Sequence, residues 1–380
     1  MPSDPKQQHI RRVALLDLSW RHTGYVAAAL HAAGIETLLV STGWPDRIGL
    51  GRYCRQVQSP AYTSAAYVPF VREQISRFKP DWVIPLCEPL FELLWKLDPP
   101  CPAPLYPPTE AWQREIVLDR RRLYDCAAAA GIPIPPWRPL AGDSDVDDAI
   151  GRFGLPLVIR GTAGFSGGQV RIVHSAAQAR SGFAQMQRVS PRPPFAQSFI
   201  HGERLLMGGV FSRGEMLCAF AQEVIESHPP SIGPSIRVRT LREPRLEAHT
   251  RALLRALRWS GMASVDFIRD AGGVPVLMEL NPRPWGSIVV AERSGVPLCR
   301  TFAQLLTGEP MTAPPPYKAG VECIVPEAFV LARRQTGILS TLRALEAREL
   351  WACVSGLPWS QPRLALHVMR RVCQGLRSGV

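Results

Sequence analysis

Apolar runs and helix-period stretches alternate along the first hundred residues. "RRVALLDLSW" followed by "TGYVAAALHAAGIETLLVS" predicts strand, helix, strand, with Gly34 closing the helix and branched residues opening the second strand. "AAYVPFVREQISRFKPDWVIPLCE" repeats the order, with a helix ending near Lys79 and an apolar strand over 82–86. A parallel, doubly wound sheet up to about residue 105 is therefore expected. "DPPCPAPLYPPTE", residues 98–110, is too proline-dense for regular helix or central strand and reads as a connector. "TEAWQREIVLDRRRLYDCAAAAG" then reads as one or two helices ended by Gly131, and "IPIPPWRPL" as extended chain.

From there the pattern turns to hairpins. "LPLVIR", 155–160, and "QVRIV", 169–173, flank "GTAGFSGG", which carries Gly161, Gly164, Gly167 and Gly168. A helix near 176–187 follows, then strands in "PFAQSFIHGERLLMGGVF" and "EMLCAFAQEVIE", then a helix in "PRLEAHTRALLRALRW". No repeat of solenoid type and no low-complexity tract interrupts this order.

"MASVDFIRDAGGVPVLMELN" predicts a hairpin turning through 271–274, where Gly272 and Gly273 tolerate positive φ. The period of two then sets the pairs: Val265 and Phe267 against Leu280 and Met278 on one face, Asp266 against Glu279 and Ser264 against Asn281 on the other. Carboxylates directly opposed across a hairpin repel unless something compensates. Mg²⁺, which takes hard oxygen ligands from one or two carboxylates plus substrate phosphates, is one compensation. An edge hairpin with its acids in water, or neutralised by Arg283 or Arg269, is the other. Pro282 ends the strand where the oxygen cluster ends.

Composition narrows the picture only in part. The 380 residues, 46% hydrophobic and 20% charged, suit a soluble chain of two or three domains. Nine cysteines stand as singles with no CxxC pair and no zinc spacing, which favours reduced thiols in a cytoplasm. The start is polar, without the apolar region of a signal peptide, and no stretch is long and apolar enough for a membrane helix. The net charge of +12 favours anionic partners in general. From Trp351 to Val380 there is no acidic residue, and Leu364, Leu366, Val368, Met369, Val372 and Leu376 give a helical stripe. That tail reads as a helix packed on its own domain or as a basic amphipathic helix for a membrane or partner.

"GTAGFSGG" lacks the Lys-Ser/Thr of a Walker A loop and does not open a helix, so neither a P-loop nor a dinucleotide fingerprint fits. Between two antiparallel strands its backbone N–H groups suit phosphate oxygens, although a glycine-rich hairpin tip is also common. Arg160, closing the strand before the loop, and Arg120, in "LDRRR", have the reach of phosphate ligands; Arg122 reads as a solvated helix position.

In this order the stretches "LDRRRLYDCAAAAGIPIP", "LPLVIRGTAGFSGGQVRIV", "FAQSFIHGE", "GMASVDFI" and "VLMELNPRPWGSIVVAERSGVPL" resemble the ATP-grasp superfamily, in particular its carbamoyl-phosphate-synthetase-like branch. The resemblance covers about 110–300, and Gly161 stands where many members carry proline. It implies an α/β and α+β protein in which ATP lies between two α+β subdomains. These would be a Rossmann-like pre-ATP-grasp domain over 1–105, a small subdomain with the glycine loop over 106–200, a large subdomain with the metal site over 201–325, and a C-terminal helical extension over 326–380. It implies that Arg120, Arg160, Gly164, Ser166, Gly167 and Gly168 meet the phosphates, that Gln197, Phe199 and Ile200 meet adenine, and that Glu203 meets the ribose. Asp266, Glu279 and Asn281 match magnesium ligands, for one ion or two, with Mn²⁺ as a substitute. Arg283 matches an arginine that steadies the phosphoryl group. "SIGPSIRVR" resembles the segment facing the acyl acceptor, which makes Ser235, Arg237 and Arg239 substrate contacts, Arg239 catalytic among them.

The chemistry implied is a carboxylate–amine ligation through an acyl phosphate, releasing ADP and phosphate. Such phosphoryl transfer is mostly positioning and charge neutralisation and needs no protein nucleophile. The partners expected are a small carboxylate and an amine, with an acidic carrier protein as a further acceptor and a homodimer compatible. A non-catalytic nucleotide- or nucleic-acid-binding protein is the rival; the dispersed basic residues, with no aromatic-interleaved RNA platform, speak against it.

Overall fold

The computed structural model describes residues 10–18, 22–43, 45–162, 169–190, 192–230, 232–311, 316–325, 362–363, 365–367 and 369. The first sheet holds β1 (Arg12–Asp17), β2 (Glu36–Ser41), β3 (Arg55–Gln58) and β4 (Trp82–Pro85) in the order β3-β2-β1-β4. All three pairings are parallel, as the apolar runs predict, because strands covered on both faces need no alternation. Helices α1 (Thr23–Ala32), α2 (Tyr67–Phe78) and α3 (Glu88–Trp95) connect or follow these strands. In α2 the buried residues Tyr67, Val71, Ile75 and Phe78 share one helical stripe, and Lys79 ends the helix in the left-handed region before Pro80. Strand β3 and helix α3 were not anticipated; β3 is short and polar, and α3, which buries Leu90, Phe91 and Leu94 at helical spacing, spans only two turns.

The predicted helical stretch after the connector is two helices, α4 (Ala111–Leu118) and α5 (Arg120–Ala129). They break at Asp119, whose extended backbone lets its side chain accept from the Arg121 N–H and cap α5. A small antiparallel sheet follows: β5 (Trp137–Pro139), β6 (Leu157–Arg160), β7 (Val170–Val173) and β8 (Phe195–Ser198), ordered β5-β8-β6-β7 and covered by α6 (Asp143–Phe153) and α7 (Ala176–Val189).

The large sheet runs β13-β12-β9-β10-β11-β14, from β9 (Glu203–Ser212), β10 (Glu215–Ser227), β11 (Ser235–Leu241), β12 (Gly261–Arg269), β13 (Pro275–Asn281) and β14 (Glu322–Ile324). Helix α8 (Pro244–Ala256) buries Leu246, Leu253 and Leu254 on one face of it, in a core shared with Leu123 and Tyr124 of α5 and with Leu205, Phe267 and Leu277 of the sheet. On the opposite face, α9 (Val289–Ser294) and α10 (Leu298–Thr307) join Leu206, Val210 and Phe220 to α1 and Val13 of the first sheet. This second core fixes the first sheet against the large one, and with it the walls of the cleft described below.

The hairpin β12–β13 departs from the expected register at one point. Ser264 pairs Asn281 and Asp266 pairs Glu279, but Phe267 pairs Leu277 rather than Met278. Met278 is the extra residue of a β-bulge, which the alternation of the sequence does not reveal. The turn spans 270–274, where the Asp270 carboxylate accepts from the N–H groups of Gly272 and Val274 and Gly273 takes φ of 75°. The expected C-terminal extension falls outside the described residues except at 362–363, 365–367 and 369, where the chain is helical. There Ala365 packs on Tyr25 and His367 Nδ1 lies 2.8 Å from Asp46 Oδ2, while of the predicted stripe Leu366 is half-buried and Met369 exposed.

Candidate functional site

The site is assembled where the end of β13 meets α5 and β6. Asp119 starts α5 so that Arg120 points inward, 8% exposed, and β6 delivers Arg160 at 5%. Both reach one carboxylate: Arg120 Nη2 donates to Glu279 Oε1 at 2.8 Å and Arg160 Nη2 to Glu279 Oε2 at 3.2 Å. Arg120 and Tyr124, one helical turn apart, face the same way. The Tyr124 hydroxyl donates to Gln197 Oε1 at 2.9 Å and to the Met278 carbonyl at 3.2 Å, and Arg160 Nη1 donates to that same carbonyl at 3.2 Å. The bulge thus has a use, since a residue outside the regular ladder offers its carbonyl to α5 and β6.

On the same face, Asn281 Nδ2 donates to Asp266 Oδ2 at 2.7 Å. Burial pushes the Asp266 carboxyl up to about 6; the Glu279 charge adds to this, and Arg204 and Arg283 oppose it. Burial also works to raise Glu279, but the Arg120 and Arg160 guanidiniums outweigh it and hold that carboxyl below the ordinary range. The face therefore carries one fully paired carboxylate and one under-compensated carboxylate, directly opposed.

Among the described residues no three His, Cys, Asp or Glu side chains converge on one point. The donor set is two carboxylates and one amide, all hard oxygens, with Asp266 short of positive charge. That set fits Mg²⁺ held jointly with substrate phosphates and does not fit a structural zinc site.

Arg283 follows Pro282 out of β13, and its Nε donates to Glu88 Oε2 of α3 at 2.7 Å. Glu88, Arg120, Thr162, Glu279, Leu280 and Pro282 line a cleft of about 930 Å³ between α3, the ends of α4 and α5, and α7. Tyr124, the Met278 carbonyl and Glu88 were not anticipated as parts of the site. Tyr124 had a signal, its i+4 spacing from Arg120, whereas the other two depend on a bulge and on a distant domain.

The remaining anticipated residues divide. Gln197 is 3% exposed and tied to Tyr124, and Phe199 and Ile200 follow it, half-buried, with Phe199 against the His201 ring at 4.7 Å. Glu203 stands exposed at the start of β9 and pairs with Arg269. Gly164, Ser166, Gly167 and Gly168 lie outside the described residues. Arg122 is exposed and paired with Glu115, as its surface reading expects. Arg239 and Arg237 are not brought to the carboxylates. The ladder runs Arg239–Glu223–Leu205–Phe267, whereas Asp266 continues through Leu206 and Gln222 to Thr240, so the two arginines occupy the opposite face, three strands away. There Arg239 Nε donates to Glu223 at 2.6 Å and Arg237 Nη1 to Glu322 at 3.1 Å. Ser235 opens the same strand opposite Ser227. Alternation within β11 forces this placement, and the expected role of Arg239 in the chemistry is withdrawn.

No helix among the described residues is long and apolar enough to cross a membrane, and the cysteines among them are unpaired. Comparison with known proteins sets this geometry in context. The family described as ATP-grasp in the biosynthetic pathway with Ter operon matches residues 234–327. The chain is similar to the carbamoyl phosphate synthase large chain of Neisseria meningitidis, 26% identical over 216 residues, 53% of this chain and 19% of that one. It is also similar to that of Methanothermobacter thermautotrophicus, 23% identical over 309 residues, 75% of this chain and 28% of that one. It thus spans about a fifth to a quarter of the length of these relatives. Among solved structures, an N5-carboxyaminoimidazole ribonucleotide synthetase bound to ADP superposes with a TM-score of 0.67 at 14% identity, over 86% of this chain and 85% of that one. An L-amino acid ligase from Bacillus licheniformis gives 0.62 at 16%, over 80% and 76%. The sheets thus share the fold of these solved structures, and the part of the chain that carries the acidic hairpin matches an ATP-grasp family model.

Proposed function

We propose that the protein is an ATP-dependent carboxylate–amine ligase acting on small molecules through an acyl phosphate. The observation that carries this reading is the single carboxylate of Glu279, opposed to Asp266 across a hairpin and bonded to two buried arginines. Asp266, Glu279 and Asn281 would hold Mg²⁺ through their carboxylate and amide oxygens, and Arg120 and Arg160, released from Glu279, would turn to the phosphates. The ion supplies charge neutralisation on the phosphates. Gln197, Phe199 and Ile200 border the adenine, Glu203 takes the ribose, and Gly164, Ser166, Gly167 and Gly168 cover the phosphates. Arg283, fixed by Glu88, steadies the oxygens of the transferring group.

The carboxylate oxygen of one substrate attacks the γ-phosphorus and ADP leaves. The nitrogen of the amine then attacks the acyl carbon, phosphate leaves with the bonding pair, and the nitrogen sheds a proton. The protein's part is alignment and electrostatic support, and loss of one such contact typically raises the barrier by about 2.7–4 kcal/mol. The test is ADP release from MgATP with pooled amino acids and small carboxylic acids, with mass spectrometry of active pools. A product lighter than its two components by one water, absent with Glu279→Ala, supports the reading. Binding of MgATP without turnover on any pool points instead to a carrier-bound acceptor, and no binding of MgATP sinks the proposal.

A further inference from the structure

The ligase reading assigns groups to the nucleotide and the acyl phosphate but leaves the amine unplaced. In the first sheet the strand order reverses between β1 and β4, and crevices at such a switch, beyond the carboxyl ends of parallel strands, are where open α/β sheets bind ligands. Glu88 stands just past the end of β4, as the first residue of α3. Its Oε2 accepts from Arg283 at 2.7 Å. Its Oε1 is buried with no hydrogen-bond partner among the described residues. A buried carboxylate oxygen without a donor is costly, and this one belongs to a side chain lining the same cleft as Arg120 and Glu279. Nothing in the nucleotide site uses it.

We propose that Glu88 Oε1 receives the ammonium group of the amine substrate, while Oε2 keeps Arg283 on the acyl phosphate. The inference rests on the ligase reading and deepens it. The ammonium has no lone pair, so it gives one proton to Oε1 before its nitrogen attacks the acyl carbon; one carboxylate would then hold the nucleophile and the electrophile's arginine side by side, which sets their approach. An acceptor selected in this way is a protonated primary amine. A thiol offers no charge for the oxygen to meet, and an alcohol offers only a weaker neutral bond.

Glu88→Gln tests this, because the amide oxygen still accepts from Arg283 Nε while an NH₂ donor replaces Oε1. Wild type and E88Q are given MgATP, pooled small carboxylic acids and, at neutral pH, either hydroxylamine, which is largely uncharged, or pooled amino-acid amides, which are largely protonated. Losing a charge-assisted bond should shift the preference from amides toward hydroxylamine by about tenfold or more, read as the KM for the amides against hydroxamate yield. An unchanged preference, with both nucleophiles losing equally or neither losing, overturns the proposal and leaves Glu88 as a support for Arg283. If wild type makes no hydroxamate from any acid, ligation of a small free carboxylate falls by itself. Calorimetric titration of the amides then decides for Glu88: binding to wild type but not E88Q sustains the amine site, and equal binding or none refutes it.

Discussion

Glu279→Gln separates the two roles of this carboxylate, as counter-charge to buried arginines and as ligand to a metal. Glutamine keeps the shape but removes the charge, and its NH₂ turns a donor toward one guanidinium. Breaking a buried ion pair from one side costs about 3–5 kcal/mol. Two arginines share this carboxylate, which would enlarge the loss, but its side chain is 25% exposed. Arg160 also keeps Tyr124 and the Met278 carbonyl, and Arg120 keeps the Gly161 carbonyl at 3.4 Å. The expected net loss is about 3 kcal/mol, measured by urea denaturation without nucleotide. Tripolyphosphate without magnesium should then stabilise the variant more than wild type, because two arginines lacking a carboxylate await an anion. A variant as stable as wild type, or one gaining no more from tripolyphosphate, would refute the idea that Glu279 restrains these arginines.

Two further outcomes are expected. Asp266 titrates near 3.8 when unfolded and at about 6 when folded, so the folded state holds the proton longer. Its contribution is fully present below the lower value and lost as pH rises through the upper one, about 2–3 kcal/mol in all. The stability difference between wild type and Asp266→Asn should follow that curve, and a flat difference across it rejects the assignment. At Gly208 a Cβ would lie 2.1 Å from the Trp285 ring, which stacks on Phe220 at 5.9 Å between centroids. Gly208→Ala should cost about 1–3 kcal/mol by overpacking, seen as a lower denaturation midpoint; an unshifted midpoint means that Trp285 relocates freely.

Much of the fold was legible because it is written in local periods. The buried strands of the first sheet appear as apolar runs, and α2 and α8 as stripes of 3.6. Arg160 was singled out by the glycine loop that follows it, and Arg120 by its place in the "LDRRR" run. Arg239 misled because "SIGPSIRVR" was assigned by resemblance alone, with neither strand nor face read from it: alternation in a strand gives two faces, and only pairing through β10 and β9 tells which one holds Asp266.

The order of elements and the oxygen-rich face of Asp266, Glu279 and Asn281 are determined by the sequence alone, because backbone geometry repeats every two or 3.6 residues and side-chain chemistry is carried along with it. Tertiary structure decided what those groups meet. The Met278 bulge, the sharing of Glu279 by two arginines, and the bond from Arg283 to Glu88, 195 residues away, arise from contacts between segments far apart in the chain. No local period encodes such contacts; they exist only once two cores have packed the sheets against each other.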